Sequence, residues 1–221
     1  MEIKILGITA SPIKEGNTDH FLKEALNAAE EKQGVVTEMV SLAKRDISDC
    51  KHCNWCLTKQ KMGRYCAIED DVYEIYPKIE EADGLLLATP VYLGRLSGYL
   101  ASLLDRLRVF MEGNLFRGKL KDKVGGSLAV AWSRHGGIET ALHSINYAFL
   151  ILEMVIVNAT SYGALYGSGG LSSLQGSGKM DAQDKLMVLK DDFGLKGARA
   201  LARRMVEMAM IIKAGKEVLK K

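Results

Sequence analysis

Residues 2–32 read EIKILGITASPIKEGNTDHFLKEALNAAEEK, an apolar run joined by a glycine-containing turn to an amphipathic stretch. The run at residues 2–9 predicts a buried strand. The stretch at residues 18–32 predicts a helix, because its apolar side chains recur at helical spacing on one side. A strand followed by a short turn and a covering helix is the repeating unit of α/β folds.

The same alternation continues along the chain. Further strands are predicted at residues 35–42, 84–88, 124–132 and 154–160, and further helices at about 69–80, 97–111 and 138–152. Apolar strands separated by helices indicate a parallel sheet that helices cover on both faces. Right-handed crossovers then give a doubly wound α/β sandwich. Five strands favour the flavodoxin-like order 2-1-3-4-5, in which ligands bind at the carboxyl ends of the strands.

The last third of the chain departs from this alternation. Residues 163–179 are too rich in glycine and serine for a regular element, and they predict either a mobile loop or a lid over a ligand or a subunit contact. Leu201, Met205, Met208 and Ile212 recur at steps of four, three and four, which predicts a long C-terminal helix packed against core or another subunit. We expect one domain over residues 1–221, with a cysteine loop at 43–68 and a loop plus helix at 161–221.

Composition narrows the class of protein. The chain has 221 residues, of which 48% are apolar and 26% charged, as in soluble globular proteins. A net charge of +3 with dispersed lysines argues against binding to nucleic acid. No apolar run reaches the roughly 20 residues that span a bilayer. Residues 1–15 lack the features of a secretory leader. These observations predict a cytoplasmic protein.

All four cysteines lie within residues 50–66, as Cys50, Cys53, Cys56 and Cys66. The run C-x2-C-x2-C begins the bacterial ferredoxin pattern, and four thiolates commonly hold an iron–sulfur cluster. Because the chain has no further cysteine, Cys66 would have to complete the same site. A structural zinc ion and thiols without metal stay open as alternatives. Disulfides would need an oxidising compartment.

Three loops follow the first, third and fourth predicted strands and should meet at one edge of the sheet. In the first loop, a helix N-terminus after a glycine turn is an intrinsic phosphate site. Its candidate ligands are Ser11, Lys14, Gly16, Asn17 and Thr18. The alternative is an ordinary capped turn with Asn17 or Thr18 as N-cap. Neither the Walker nor the G-x-G-x-x-G fingerprint is present.

The second and third loops could border a planar heterocycle. The second loop offers backbone groups and an aromatic ring; its candidates are Pro90, Val91, Tyr92, Leu93 and Gly94. In the third loop two glycines allow close backbone approach, and an arginine and a histidine could stabilise negative charge. Its candidates are Trp132, Ser133, Arg134, His135, Gly136 and Gly137.

These motifs together resemble a known family. They are Ser11-Pro12 with Gly16-Asn17-Thr18, the four cysteines with Asp70-Asp71, Ala82-Asp83-Gly84, Thr89-Pro90-Val91-Tyr92, Asp105-Arg106 and His135-Gly136-Gly137-Ile138-Glu139. Over about residues 1–160 the chain resembles the NADPH-dependent FMN reductase superfamily of flavodoxin-like proteins, and more closely its iron–sulfur flavoproteins.

The resemblance implies two cofactors and an oligomer. The first loop would hold the FMN phosphate, and the second and third loops would border the isoalloxazine ring. The four cysteines would hold a [4Fe-4S] cluster, and the chain would form a homodimer or homotetramer with flavin sites near subunit boundaries. Two features depart from the family pattern. Ile13 stands where an arginine is common, and nine residues rather than four to seven separate Cys56 from Cys66. We expect residues 59–64 to loop out between them.

The favoured function is electron transfer between the cluster and FMN. A ferredoxin would be the donor, and a quinone, oxygen or peroxide the acceptor. No side chain needs to act as acid or base, and Tyr92, Arg134 and His135 would only tune the flavin. One alternative is a cluster-free NAD(P)H-dependent FMN or quinone reductase. Another is a redox-sensing flavoprotein whose cysteine loop binds a partner through Lys51, Lys59, Lys61 and Arg64. The alternative for these four side chains is an ordinary solvated surface.

Overall fold

The computed structural model describes residues 1–219 and contains six strands and six α-helices in these residues. The strands are β1 (Ile3–Thr9), β2 (Val35–Ser41), β3 (Gly84–Pro90), β4 (Val124–Ala131), β5 (Val155–Ile156) and β6 (Ser168–Leu171). The helices are α1 (Asn17–Glu30), α2 (Ile75–Glu81), α3 (Gly98–Arg106), α4 (Arg108–Met111), α5 (Ile138–Ile151) and α6 (Asp192–Leu219). Within this part of the chain, no helix combines the length and apolar character that a membrane crossing requires.

The strands form one parallel sheet in the order β2-β1-β3-β4-β5, which confirms the predicted flavodoxin-like order. The central strands β3 and β4 are buried along their whole length. Thr9 at the end of β1 pairs with Ser41 on β2 and with Ala88 on β3. The carboxyl ends of these strands therefore lie side by side, at the edge where the loops were expected to meet.

The fifth position of the sheet differs from the prediction. The strand expected at residues 154–160 is confined to Val155–Ile156, and β6 continues the same edge by pairing with Leu128–Ala131 of β4. The prediction that residues 163–179 hold no regular element is therefore wrong. The glycines of β6 have a packing role: a Cβ on Gly169 would lie 2.7 Å from Ile138, and one on Gly170 would lie 2.9 Å from Val188. The glycines that suggested a loop are therefore needed for close packing around β6.

Helices cover both faces of the sheet. On one face α1 and α6 bury Phe21, Leu22, Leu201 and Met205 against the strands. Of the two predicted alternatives for the Leu/Met stripe of α6, core or subunit contact, the structure shows packing against the core. On the other face, α2, α3, α4 and α5 form a second apolar cluster, and part of the cysteine loop packs against it.

Two predicted helices are interrupted, and both interruptions lie near the cysteines. The helix expected at residues 97–111 divides at Leu107, whose backbone N–H is shared between the carbonyl oxygens of Leu103 and Leu104. The helix expected from residue 69 starts as the 3-10 turn Asp71–Glu74, where the side chain of Asp70 accepts a hydrogen bond from the N–H of Val72. These breaks place Asp70 and Arg106 beside each other under the cysteine loop.

Candidate functional site

The first and second loops are joined at the carboxyl edge of the sheet. Ser97, at the start of α3, donates its hydroxyl to the carbonyl oxygen of Ala10 at 2.8 Å. The N–H of Ser97 donates to the hydroxyl oxygen of Thr89 at 2.9 Å. Both side chains are buried. The first and second loops are therefore joined by hydrogen bonds that are shielded from solvent.

The first loop leaves the N-terminus of α1 open. The N-cap is Gly16, so neither Asn17 nor Thr18 occupies that position, and no side chain caps the helix. Buried Asp19 braces the turn by accepting hydrogen bonds from the Thr9 hydroxyl at 2.8 Å and the Glu15 N–H at 2.9 Å. An uncapped N-terminus of a 14-residue helix presents free N–H groups and the positive end of the helix dipole. This geometry fits a phosphate.

The candidate side chains of the first loop have different surroundings. The Asn17 amide donates to the carbonyl oxygen of Lys185 at 2.8 Å and accepts from the N–H of Val188 at 2.9 Å. It therefore fixes the chain before α6, and this contact occupies the amide oxygen and one of the two amide N–H donors. Ser11 is buried and its hydroxyl oxygen accepts from the N–H of Ile13, whereas Lys14 is exposed. Lys14 is the flexible cation of this loop.

The second loop is a tight turn that presents apolar side chains to solvent. Tyr92 and Arg95 exchange two backbone hydrogen bonds of 2.9 and 3.1 Å. Leu93 and Gly94 between them have φ of 48° and 74°, the conformation of a type I′ turn. Leu93 is fully exposed and Tyr92 about half exposed. Partial burial raises the pKa of the Tyr92 phenol, which therefore stays neutral at physiological pH.

The third loop packs directly on the second. Gly137, the N-cap of α5, has φ of 103°, and a Cβ placed on it would lie 2.5 Å from the carbonyl oxygen of Gly94. Trp132, Ser133, Arg134 and His135 are exposed along the outer side of this loop. The structure therefore brings the predicted ring-binding residues of the two loops to one place, where they touch through glycine backbone.

A fourth loop, residues 172–178, lies within the segment predicted to be a mobile loop, a lid over a ligand or a subunit contact, and it packs against the third loop. Ser133 pairs with Ser177 as an antiparallel bridge, and the N–H of Arg134 donates to Gly176 at 2.8 Å. The Arg134 guanidinium also donates to the carbonyl oxygen of Gln175 at 2.9 Å. Glycine and serine content was the only sequence signal for this contact. The fourth loop holds Arg134 in place along the third loop.

The four cysteines line one pocket. Cys56 and Cys66 are buried, Cys50 is partly exposed and Cys53 is exposed. His52 and Asn54 between the first three cysteines have φ of 50° and 57°, which lets the chain turn tightly around the pocket. The other wall comes from the end of α3 and the start of α4, including Arg106 and Arg108.

Charge and burial oppose each other at Cys56. Burial raises the pKa of its thiol above the ordinary value, and the nearby Arg108 guanidinium lowers it in part. Cys66 and Cys50 raise it further, because neighbouring thiolates repel. Four thiolates collected in one pocket are therefore stabilised only when positive charge reaches them, from Arg108 or from a bound metal.

The long segment between Cys56 and Cys66 is anchored in the protein. Buried Gln60 donates to the carbonyl oxygens of Tyr65 and Val109 and accepts from the N–H groups of Leu115 and Phe116. Residues 61–64 extend outward as a short turn with a Lys61–Arg64 bridge, and Lys59 is also exposed. The prediction that residues 59–64 loop out holds for this tip, but Gln60 lies in the interior.

The arrangement of ligands distinguishes a single metal ion from a cluster. Among residues 1–219, no three His, Cys, Asp or Glu side chains converge closely enough to hold one metal ion. A zinc ion gathers its ligands around one centre, with Zn–S distances of about 2.3 Å. In an iron–sulfur cluster each cysteine binds a different iron, so the four sulfurs stand further apart. Four cysteine thiols lining one pocket are the donor set that such a cluster uses.

Helix α3 connects the two candidate sites. Its first residue follows the second loop, and its last residue, Arg106, lines the cysteine pocket. Nine helical residues span about 14 Å. The second loop and the cysteine pocket are therefore at opposite ends of one short helix.

Comparison with known proteins assigns this arrangement to a class. Residues 3–166 match the model of the NADPH-dependent FMN reductase family, and the chain belongs to that family. An iron–sulfur flavoprotein of Methanocaldococcus jannaschii is 40% identical over 96% of this chain and 100% of its own. One from Archaeoglobus fulgidus is 33% identical over 92% and 96%. Within the larger family, the chain is thus a member of the iron–sulfur flavoproteins.

A solved structure supports the fold. The NAD(P)H:quinone oxidoreductase from Methanothermobacter marburgensis superposes with a TM-score of 0.60 and 17% identity, covering 93% of this chain and 98% of that one. The protein is a flavin-dependent, FMN-binding oxidoreductase with a flavodoxin-like fold.

Proposed function

We propose that this protein transfers electrons between a [4Fe-4S] cluster held by its four cysteines and an FMN held by its loops, and passes them to a small acceptor. The observation that carries the proposal is the shared pocket of Cys50, Cys53, Cys56 and Cys66 at one end of α3, with the second loop at the other end. Both sites would belong to one domain over residues 1–221.

The first loop would bind the FMN phosphate. The free N–H groups at the start of α1 and the exposed Lys14 ammonium supply the positive potential, which compensates for Ile13 in place of arginine. Ser11, Gly16 and Thr18 border the same turn. Asn17 would act indirectly, because its amide holds the segment before α6 against the loop.

The second and third loops would bind the ring. Residues 90–94 offer backbone groups and the apolar surface of Tyr92, and residues 132–137 offer the opposite border. Arg134, fixed by the fourth loop, would place positive charge where the reduced ring gathers negative charge. FMN supplies one- and two-electron chemistry, and a cluster supplies single electrons. The protein would position both groups.

Metal and flavin analysis of protein purified without oxygen tests this proposal. We expect about four irons and four acid-labile sulfides per chain, one FMN, and broad absorption beyond the flavin bands. Reduction with dithionite should give the electron paramagnetic resonance signal of a [4Fe-4S] cluster. Yellow protein without iron, or with stoichiometric zinc, would contradict the cluster. Protein that binds no FMN would contradict both enzymatic functions.

A second candidate function is NAD(P)H-dependent reduction of FMN or a quinone without a cluster. The family's name and the exposed Tyr92, Leu93 and Trp132 favour it, because an open, apolar site lets a nicotinamide or quinone stack on a bound ring. Steady-state turnover with NADH or NADPH and a quinone by iron-free protein would support it.

A partner-binding role is the third candidate. Lys51, Lys59 and Lys61 are exposed around the cysteine loop and suit an acidic donor such as a ferredoxin. Arg64 is partly engaged, since it forms an ion pair with Glu69 and lies over the Trp55 ring. Loss of ferredoxin-driven flavin reduction at raised salt would support such docking.

We also propose a homodimer or homotetramer. Tyr147, Leu150 and Ile151 of α5 are exposed apolar side chains that assembly could cover. Sedimentation of the FMN-loaded protein measures the oligomeric state directly.

A further inference from the structure

A buried ion pair between Arg106 and Asp70 lies beside the cysteine pocket. Only 1% of the Arg106 side chain and 2% of the Asp70 side chain are exposed. The two groups meet at two points, Nη1 to Oδ2 at 2.6 Å and Nη2 to Oδ1 at 3.2 Å. This is the bidentate geometry that an arginine, and not a lysine, offers to a carboxylate.

Arg106 uses all of its donors. Besides Asp70, its Nη1 donates to the carbonyl oxygen of Ser48 at 3.0 Å and its Nη2 to that of Ile68 at 3.3 Å. Its Nε donates to the Tyr76 hydroxyl at 3.2 Å. A guanidinium has five N–H donors, and five hydrogen bonds are made. The position is specific to the shape of arginine.

The partners of this pair flank the cysteines. Ser48 lies two residues before Cys50, and Ile68 lies two residues after Cys66. The Asp70 carboxylate also binds backbone on both sides of the cysteines. It accepts hydrogen bonds from the N–H of Ser48 at 2.9 Å and the N–H of Val72 at 3.2 Å. One ion pair therefore ties both ends of the cysteine-bearing segment to the last residue of α3.

Stability alone does not explain such a pair. Removing two charges from water is unfavourable, and well-packed apolar side chains of similar size are often at least as stabilising. The distinctive property of this pair is that it orders two chain segments at once. If the thiolates are ordered before the metal binds, the loss of conformational entropy on binding is smaller.

We propose that Arg106, held by Asp70, is a positioning residue for the cluster: it fixes both ends of the cysteine loop so that the four thiolates face one pocket before iron arrives. Arg106 itself lines that pocket. The inference rests on the proposed function, because it takes the cysteines to be the ligands of the cluster.

The test compares three variants with the full-length wild type. Arg106→Met combined with Asp70→Asn removes the pair without leaving a buried, unpaired charge. Arg106→Lys keeps the charge but not the five-donor geometry. Arg199→Met combined with Glu24→Gln is the matched control, because it removes an arginine–carboxylate pair that joins α6 to α1 on the other face of the sheet.

The first readout needs no metal. In cluster-free protein we expect amide hydrogen exchange at Ser48 and Val72 to become at least tenfold faster in both Arg106 variants and to stay unchanged in the control. Unchanged protection in both Arg106 variants would overturn the inference. If the double variant does not fold, the Lys variant alone decides.

The second readout is iron relative to FMN after anaerobic reconstitution. We expect FMN per chain to stay at the wild-type value while iron per chain falls at least threefold, with a weaker and altered paramagnetic signal of the reduced cluster. Wild-type iron content and signal in the Arg106 variants would overturn this inference alone. A wild-type protein that takes up no iron would overturn the proposed function and the inference with it.

Discussion

Gly137 is the residue at which the second and third loops meet. Its φ of 103° is strained for any other residue, and a Cβ there would lie 2.5 to 2.6 Å from backbone atoms of Gly94, which cannot rotate away. We expect Gly137→Ala to separate the loops, to lower the free energy of unfolding by about 1–3 kcal/mol and to weaken FMN binding at least tenfold. Quenching of flavin fluorescence measures the affinity, and thermal unfolding measures the stability.

Gly118→Ala is the matched control for that change. Gly118 has φ of 74° and no neighbouring atom within 4 Å of an added Cβ, so it reports the backbone strain without the clash. It should lower stability by only about 1 kcal/mol and leave FMN affinity unchanged. Equal FMN affinity in the two variants would show that the Gly137–Gly94 contact does not shape the flavin site.

Arg108 sets the charge felt by the Cys56 thiol. Its guanidinium lowers the pKa of that thiol, and burial raises it. Arg108→Gln removes the lowering contribution, so the pKa should rise and the thiolate fraction at a given pH should fall. In cluster-free protein we expect alkylation of Cys56 at pH 8, followed by peptide mass spectrometry, to slow about two- to fivefold. Arg204→Gln on α6 carries the same charge change on the other face of the sheet and should leave the rate unchanged; an equal effect there would point to net charge instead.

At the scale of elements, the sequence predicted the strands with unbroken apolar runs best. Leu85, Leu86 and Leu87 of β3 form an apolar run that is too short for a buried helix and is followed by Thr89-Pro90, and all three are buried in the sheet. β6 was missed because Gly169 and Gly170 are required by the helices that press on them, a tertiary cause with no local signal. The start of α2 and the end of α3 also differ from the prediction. The hydrogen-bond network of Asp70 and Arg106 lies at both of these positions.

In the candidate site, too, local features were predicted from the sequence and tertiary contacts were not. The glycines, the cysteines and their order along the chain were visible in the sequence, and the structure gathers them at the predicted edge and in one pocket. The occupation of the Asn17 amide by Lys185 and Val188, and the support of Arg134 by Gln175, depend on segments more than 40 residues away. Such contacts have no periodicity, so no reading of the sequence could have found them.

The end of α2 depends on Lys123, which precedes β4. Its ammonium donates to the carbonyl oxygens of Glu80, at 2.7 Å, and Ala82, where α2 ends. Burial lowers the pKa of Lys123 to about 8, despite the nearby carboxylates of Asp83 and Glu80. The unfolded chain thus binds more protons than the folded chain between pH 8 and the ordinary lysine pKa, and stability should rise with pH in that window.

Lys123→Met removes this titration. The stability of the wild type relative to the variant should increase from pH 8 to pH 10, by at most about 1.4 kcal/mol per pH unit. Urea unfolding at a series of pH values measures the difference. A wild-type advantage that stays constant or falls over this range would show that Lys123 is not held at a lowered pKa.

At the scale of the whole molecule, the two sites occupy different parts of the fold. The loops that we propose to bind flavin follow β1, β3 and β4, whereas the cysteine pocket is built by an insertion after β2 that packs against α3. Only α3 belongs to both, over about 14 Å. The sheet and its flavin edge therefore need no contribution from the cysteines, and loss of the cluster should leave the FMN site intact.

The variant Cys53→Ser distinguishes electron transfer through the cluster from the cluster-free reductase function. Cys53 is exposed, so the change makes no cavity, and the variant should fold and bind FMN as the wild type does while its iron content falls. If electrons reach FMN through the cluster, stopped-flow reduction of the flavin by reduced ferredoxin should slow at least tenfold, whereas reduction by NADPH should keep its wild-type rate. Thr58→Ser, in the same loop, should change neither rate. Undiminished reduction by ferredoxin in the Cys53 variant would mean that the donor delivers electrons directly to the flavin, and the cysteine pocket would then have a structural or sensing role.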